Sequence, residues 1–600
     1  MGIMSLSIFR RNMLSVVLGV SVVLYIFTLL IAYKDIHFVY RWGIFCVYVI
    51  SIILILGCWL IQHKQALKSY SLSVFKTKEI NLLLALLILS VIVGLLYITQ
   101  YPFVSISDEM RDSGLWAKRI INEPGINIFS YGSYNGYGLL FSVFAIPFYF
   151  LFGDSVLTYR FLAAVLAILD IPMLYILARY NFLGKQSAFW AALVLALLPL
   201  HMFYARTESL EAFDSFLAIV LFILFSIWLR KRTVIDYIFL GTMIGFVLNF
   251  HTAVRIAALL LAGLVLLVTL KAFFSNAARA AKDNVFGKVV LFVVFCFVGF
   301  GPTILFSNAG NFFQSNRYAY SENVSIVNYT PSSDRFETLR ANYKKSLMVW
   351  LYEPTNSHYP DHKPIFPLFI GIFFLLGIGY AFFVLKNPFL YAALFFIFVL
   401  AFTNSAMTDW VNADHRLAPL FSLGALFVGV GITYCMRSIK YKAVKVFLAL
   451  IVLNCLLLQA AVFFTGRLAD GSHDLKQYLA NHIYYFLQEH KQEFVSSRLM
   501  VSGHAYSVPI CVAVSPDSSQ LLNDNNIGVR EQLDYFVPKG LDVHFIADAN
   551  VGEAEAYIMK GACHAGKVGE KKYMKIIDCS SGFNFTCPLN FTDKIRIYSE

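Results

Sequence analysis

The stretch YPFVSISDEMRDSGLWAKRI (101–120) places two adjacent carboxylates, Asp108 and Glu109, directly after a long apolar run. A carboxylate there can take a proton from a hydroxyl. It can equally cap an amphipathic helix running through Met110, Leu115 and Ile120. Local sequence leaves both roles open. In HMFYARTESLEAFDSF (201–216), Arg206, Glu208, Glu211 and Asp214 open another apolar run. Glu208, Glu211 and Asp214 recur every third residue, so on a helix they share a face. Three acids on an apolar helix point to function rather than packing. Cations recur near the ends of other runs: His251 and Arg255 in NFHTAVR, Lys344 and Lys345, His358 and His362 in NSHYPDHKP, and Arg416 beside Asp414 and His415 in WVNADHRLAP. Singly, each reads as an interfacial anchor or ion-pair partner. Together with the acids, they suit a phosphate-bearing amphiphile. The sequence contains no phosphate loop, dinucleotide fingerprint, zinc-protease motif or nucleophile elbow.

The elements that must position these groups are membrane helices. The chain of 600 residues is 58% hydrophobic and 14% charged, with mean hydropathy +0.67. Its apolar runs fall near 13–32, 43–62, 80–100, 155–178, 187–203, 209–229, 234–250, 253–270, 288–306, 366–385, 388–404, 417–435 and 443–464. A helix of about 20 apolar residues crosses a bilayer with its backbone bonds closed internally. The first run lacks a small-residue cleavage site and reads as a retained span. The formal charge of +12 comes from Lys and Arg in alternate short loops. These include Lys64 and Lys68, Arg179 and Lys185, Arg230 to Arg232, Lys271, and Lys440 to Lys445. This is the inside bias of membrane proteins, and it places the N-terminus inside and the C-terminus outside. No basic stripe interleaved with aromatics is present, which sets nucleic acid aside.

The expected fold is an all-α polytopic membrane domain of about 13 transmembrane helices with a small C-terminal extracytoplasmic α/β domain. Residues 1–79 hold two leading spans and a cytoplasmic loop. Residues 80–465 form the membrane domain, with outer loops at 101–154 and 307–365, and 466–600 form the outer domain. Residues 138–152 are apolar over only half a span and read as a helix lying in or dipping into the outer interface, the alternative being a short true span compensated elsewhere. The tail alternates short apolar runs (RLMVSGHAY, LDVHFIAD, EAYIMK) with turns. Its Cys511, Cys563, Cys579 and Cys587 suit two disulfides of open connectivity, with free thiols as the alternative and a zinc site, for which no C-x-x-C pair is present, as the third reading. The other five cysteines read as packing residues in or near spans.

The order of three blocks carries a family resemblance: the acidic pair in SDE, then GLLFSVFAIPFYFLFGDSVLTYRFLAAVLAIL, then LARYNFLGKQSAFWAALVLALLPLHMFYARTESLEAFDSF. In these blocks the chain resembles the GT-C superfamily of glycosyltransferases, in the branch of protein O-mannosyltransferases and lipid A aminoarabinose transferases. The resemblance covers about residues 80–230 and continues loosely to HRLAPLF (415–421). It implies a polyprenyl-phosphate-linked sugar as donor and an acceptor hydroxyl on a lipid, glycan or protein. It also implies a bacterial inner membrane with the active site on the periplasmic face, and inverting single displacement. By position, Asp108 resembles the catalytic carboxylate with Glu109 beside it. Arg206 and Glu211 resemble the basic and acidic residues of a second outer motif, where the acid is commonly Asp and Glu208 is an extra candidate. His251, Arg255, Lys344, Lys345, His358, His362 and Arg416 are the candidates for the donor phosphate. This branch needs no metal for transfer, although oligosaccharyltransferase relatives use a divalent ion, so no metal is expected. The two leading spans look additional to the family core. Two other readings fit the composition: a transporter or lipid flippase, and an inactive scaffold of the same fold.

Overall fold

The computed structural model describes residues 41–74, 77–98, 115–122, 126–130, 138–153, 156–181, 183–207, 210–274, 282–306, 335–355, 363–408 and 411–465, with five strands within 499–599. The span expected at 13–32 lies outside them. The chain divides into two compact units, Met1–Ile98 with Arg119–Ala461 and Thr99–Lys118 with Val462–Glu600.

The first unit is helical. It runs through α1 (Arg41–Val74), α2 (Thr77–Leu95), α3 (Leu115–Asn122), α4 (Leu140–Phe152), α5 (Val156–Tyr180), α6 (Lys185–Ala196) and α7 (Pro199–Tyr204). It continues with α8 (Leu210–Lys231), α9 (Val234–Val247), α10 (Thr252–Phe274), α11 (Lys282–Phe306) and α12 (Arg335–Met348). The last helices are α13 (Leu368–Tyr380), α14 (Pro388–Ala401), α15 (Phe421–Ser438) and α16 (Lys442–Thr465). Among the described residues, eight helices are long and apolar enough to cross a membrane, and shorter apolar stretches occupy α2, α4, α9 and α11. The run expected as one span at 187–203 is two helices. Leu198 is extended (φ −72°, ψ 119°) and Pro199 starts α7, where a residue without an N–H costs nothing.

Hydrogen bonds between helices sort the residues into two ends. At one end His63 meets Asp236, Glu79 meets Arg179 and Lys185, and Asn387 donates to the Asn181 carbonyl. At the other, Arg41 meets the Ile120 and Ile126 carbonyls, Arg160 meets the Ile98 carbonyl, His251 meets Asp214, and Tyr204 meets Asp414. Each set holds only residues that alternating spans place on one side, and the first set is the one the Lys/Arg asymmetry assigns to the inside. Helix α4 does not change ends. Gly138 before it lies so close to the Asn249 carbonyl that a Cβ would collide with that oxygen. Arg160 after it reaches Ile98 at the same end. Its 13 residues at about 1.5 Å rise fall well short of the roughly 30 Å hydrocarbon thickness.

The leading helix α1 is bonded into the bundle. Tyr48 Oη donates to the Gly299 carbonyl of α11 at 2.5 Å. Near the opposite end, Trp59 Nε1 and His63 Nε2 reach Asp236 Oδ1 of α9 at 3.1 and 2.7 Å. The Thr233 amide and hydroxyl donate to Oδ2 at 2.9 and 2.6 Å. Lys231 Nζ stands 2.8 Å from His63 Nδ1. A carboxylate can only accept, so His63 Nε2 donates to Asp236 Oδ1. Elsewhere, helices approach through glycine: a Cβ on Gly377 of α13 or Gly431 of α15 would strike the facing helix's backbone carbonyl.

The second unit contains a five-stranded sheet: β1 (Leu499–Gly503), β2 (Ile510–Ala513), β3 (Val543–Ala547), β4 (Tyr573–Asp578) and β5 (Lys594–Ser599), in the order β2-β3-β1-β5-β4. Only β1 and β3 are parallel, with Leu499 opposite Val543; the other pairs are antiparallel. Strands β1 and β3 fall within the apolar runs RLMVSGHAY and LDVHFIAD, whereas EAYIMK lies outside the described residues, as do Cys563, Cys579 and Cys587. The five cysteines in or near spans, Cys46, Cys58, Cys296, Cys435 and Cys455, are free thiols.

Candidate active site

The polar end that contains His251 and Asp214 is built from the starts of α8 and α10. Glu211 and Asp214 sit three apart in the first turns of α8, 7% and 0% exposed. Acids at a helix start face the positive end of its dipole. His251 immediately precedes α10, and its Nδ1 stands 2.5 Å from Asp214 Oδ2. Against an ionised carboxylate this bond fixes the proton on Nδ1. Arg255, one turn further along α10 and also buried, lies near enough for its charge to act on Asp214. The other carboxylate oxygen, Asp214 Oδ1, is buried without a hydrogen-bond partner among the described residues.

A second carboxylate comes from a distant part of the chain. Asp414 Oδ1 accepts from Tyr204 Oη of α7 at 2.7 Å and from the His415 amide at 2.7 Å. Its helical turn, Asp414–Leu417, is tied to the other elements by Asn404. Asn404 Nδ2 donates to the carbonyls of Ala253 in α10 (3.3 Å) and Arg416 (3.1 Å). Asn404 belongs to a π-helical turn, Phe402–Ala406, that follows α14; such widened turns re-aim side chains. The same turn receives α12 through Ser346 and Ser405, whose hydroxyls are 2.6 Å apart. Asn412 at φ 63° brings its amide to Ser405 Oγ at 2.8 Å. A positive φ is costly for most residues but tolerated by Asn.

The expected site residues are only partly gathered here. His251, Arg255, Glu211 and Arg416 are at this end, with Arg416 half-buried. Arg206 is fully buried and turned toward α2. It donates to the carbonyls of Met202 (2.8 Å), Val93 and Leu96 (3.4 Å). Burial, and then the charge of nearby Arg160, pulls its guanidinium below its ordinary value. Carbonyls at the end of α2 answer that charge, as at other helix C-termini. Lys344 and Lys345 are exposed on α12. Asp108, Glu109, Glu208, His358 and His362 lie outside the described residues. Among the described residues no three metal-ligating side chains stand together.

Sequence reasoning placed Asp214 on the acidic face without singling it out, and missed Tyr204 and Asn404. The i, i+3 spacing signals Asp214. Nothing local signals Tyr204, whose partner is 210 positions away. A further acid–histidine pair, Asp170 of α5 and His201 of α7 at 3.4 Å, was also unforeseen. Chemically, the end offers buried carboxylates held by neutral donors, beside imidazole and guanidinium groups. Such a set can accept a proton and balance a developing negative charge.

No family model matches the chain, and no curated protein matches it. Among solved structures, it is similar to the apo oligosaccharyltransferase of Archaeoglobus fulgidus, with TM-score 0.45 and 15% identity over 70% of this chain and 60% of that one. The chain therefore spans about three fifths of the archaeal enzyme's length. It is also similar to ArnT from Cupriavidus metallidurans bound to undecaprenyl phosphate, with TM-score 0.44 and 13% identity over 87% of this chain and 98% of that one. The apo state of that ArnT gives TM-score 0.43 and 12% identity, with the same coverage.

Proposed function

We propose that the protein is a membrane glycosyltransferase that moves a sugar from a polyprenyl-phosphate donor to an acceptor hydroxyl on the outer face of the membrane. The observation that carries this reading is the buried pair Asp214–His251 with Arg255, and the buried pair Tyr204–Asp414, at one end of the helices, their backbones linked through Asn404. These residues come from separate helices and lie at the end opposite the basic loops. The block order around SDE and RTESLEAFDSF supports the same reading.

In this mechanism the acceptor hydroxyl oxygen attacks the anomeric carbon as the bond from that carbon to the phosphate oxygen breaks. The hydroxyl proton passes to a carboxylate, assigned to Asp108, and the sugar's anomeric centre inverts. The lipid phosphate leaves with added negative charge. His251, Arg255 and Arg416 supply the compensating positive field in a site poor in water, where it acts strongly. Asp214 acts one step back. Its bond to Nδ1 orients the imidazole and favours the imidazolium that an incoming phosphate would induce. The reaction in this form requires no metal.

The test is turnover of radiolabelled polyprenyl-phosphate sugars by the purified parent and its Asp108→Asn variant. The expected result is release of free lipid phosphate by the parent and a loss of at least about a hundredfold in the variant. A folded Asp108→Asn variant with full turnover would refute the base assignment. Vectorial movement of intact donor without release of lipid phosphate would favour a flippase.

A further inference from the structure

Asn249 follows the end of α9 and precedes His251 by two positions. The last carbonyls of a helix must find donors beyond its own ladder, and here the Asn249 side chain supplies them. Its Nδ2 donates to the carbonyls of Phe246 at 2.9 Å and Gly245 at 3.2 Å. The same nitrogen reaches α11 through the Gly299 carbonyl at 3.0 Å and α1 through Tyr48 Oη at 3.3 Å. Tyr48 Oη in turn donates to the Gly299 carbonyl at 2.5 Å. On the other side of the amide, Asn249 Oδ1 accepts from Thr303 Oγ1 of α11. Carbonyls only accept, so the nitrogen must face them, and the oxygen is left for the hydroxyl. One short side chain thus joins α1, α9 and α11, and it is 2% exposed.

The node leaves its elements little freedom. Helices α9 and α11 touch backbone to backbone: a Cβ on Gly245 would strike the Cys296 carbonyl, and one on Gly299 the Thr242 carbonyl. Phe250, between Asn249 and His251, is fully buried. It stacks on Phe213 of α8, with ring centroids 5.6 Å apart and 20° between planes. Phe213 immediately precedes Asp214, so this stack and the His251–Asp214 bond run side by side between the same two elements. His251 itself sits in the turn, outside either helix. Its place is therefore set by the backbone of 248–251, which no helical ladder fixes.

We propose that Asn249 is a positioning residue for His251. By tying the α9–α10 turn to α1 and α11, it holds the imidazole against Asp214. The catalytic consequence rests on the transferase reading, in which His251 faces the donor phosphate; the positional one stands by itself. A fully answered amide in a low-dielectric interior is stiff, and displacing a reacting group by about 1 Å costs about a hundredfold in rate.

The experiment uses the full-length protein, labelled at its histidine ring nitrogens, in lipid nanodiscs. The parent is compared with Asn249→Leu, Thr303→Val and Thr303→Ser, and with Asn181→Leu as control. Asn181 is a buried amide at the opposite end, bonded to the Leu177 carbonyl and Ser226, so its loss reports general loosening. Two quantities are read. One is kcat/KM for a polyprenyl-phosphate sugar. The other is the downfield NMR signal of the ring N–H bonded to Asp214, assigned by its absence from His251→Ala. Asn249→Leu is expected to lower kcat/KM about tenfold or more and to shift or lose the signal. Thr303→Val should do both to a smaller extent, and Thr303→Ser, which keeps the hydroxyl, should match the parent. Asn181→Leu should melt earlier yet keep the signal and the turnover.

An unchanged signal in Asn249→Leu would overturn the proposal, because the imidazole would then be held without the amide. If that variant does not fold, Thr303→Val decides in the same way. Equal losses in Asn181→Leu, or in Thr303→Ser and Thr303→Val alike, would also overturn it, since they mark packing rather than these bonds. So would the absence of the signal from the parent. A lost signal with full turnover would overturn the catalytic consequence. If the parent turns over no donor, the transferase reading fails by itself, and the signal alone then decides whether Asn249 positions His251.

Discussion

Removing the His251 imidazole would strand Asp214, a fully buried carboxylate with one oxygen already lacking a partner. Breaking a buried charged pair from one side costs about 3–5 kcal/mol, so His251→Ala is expected to lower the melting temperature and abolish donor turnover. Asp214→Asn/His251→Ala should be less destabilised than the sum of the two single variants, because the pair is lost only once; a thermal-melt double-mutant cycle checks this. Additive losses would mean that the 2.5 Å contact carries little energy. Tyr204→Phe removes one hydrogen bond to Asp414 and should cost about 1 kcal/mol, together with part of the turnover. At this scale the sequence was informative where spacing is local. Glu211 and Asp214 share a helix face, and His251 and Arg255 are one turn apart. Arg206 shows the opposite case: its type and motif position suggested the site, but its side chain turns to carbonyls at the end of α2. Residue type reports charge, whereas direction depends on neighbours far away in the chain.

Among the elements, α1 and α9 are joined through Asp236, which accepts from Trp59, His63 and Thr233. Asp236→Ala leaves Trp59, His63 and Thr233 without their acceptor, and is expected to destabilise by about 3 kcal/mol or more, read as a lowered melting temperature. A variant melting like the parent would show that apolar packing alone holds α1. Gly377→Leu should also destabilise, because its side chain must displace the backbone of α15. The long apolar runs announced their helices directly. Their faces were not legible, because helices apolar all round carry no 3.6-residue stripe to read. The broken span at Leu198–Pro199 shows the same limit. Pro199 marks a possible start as well as a kink, and hydropathy runs through it without a dip.

For the whole molecule, the two sets of polar contacts at opposite ends give a topology that can be read by labelling. In a cysteine-free background, Tyr352→Cys should react with an impermeant thiol reagent only from outside the cell. Lys440→Cys should react only in inverted vesicles; both positions are exposed. Reaction of both from one side would refute the alternation of helices. The alternation was legible from the basic loops because the cost of moving charge across the bilayer fixes it. The strands of the tail were legible only in part, as β1 and β3, because pairing between distant segments has no local signature.

The most direct measurement is binding of undecaprenyl phosphate to the purified protein, followed by native mass spectrometry, for the parent, Arg255→Ala and a triple K440A/K442A/K445A variant. A charge-assisted bond to phosphate contributes about 1.5–3 kcal/mol, or about ten- to a hundredfold in Kd. The account predicts that loss for Arg255→Ala alone, with the triple variant binding like the parent. Equal binding by the parent and Arg255→Ala, or weakening only in the triple variant, would contradict the claim that the end holding Asp214 and His251 receives the lipid phosphate.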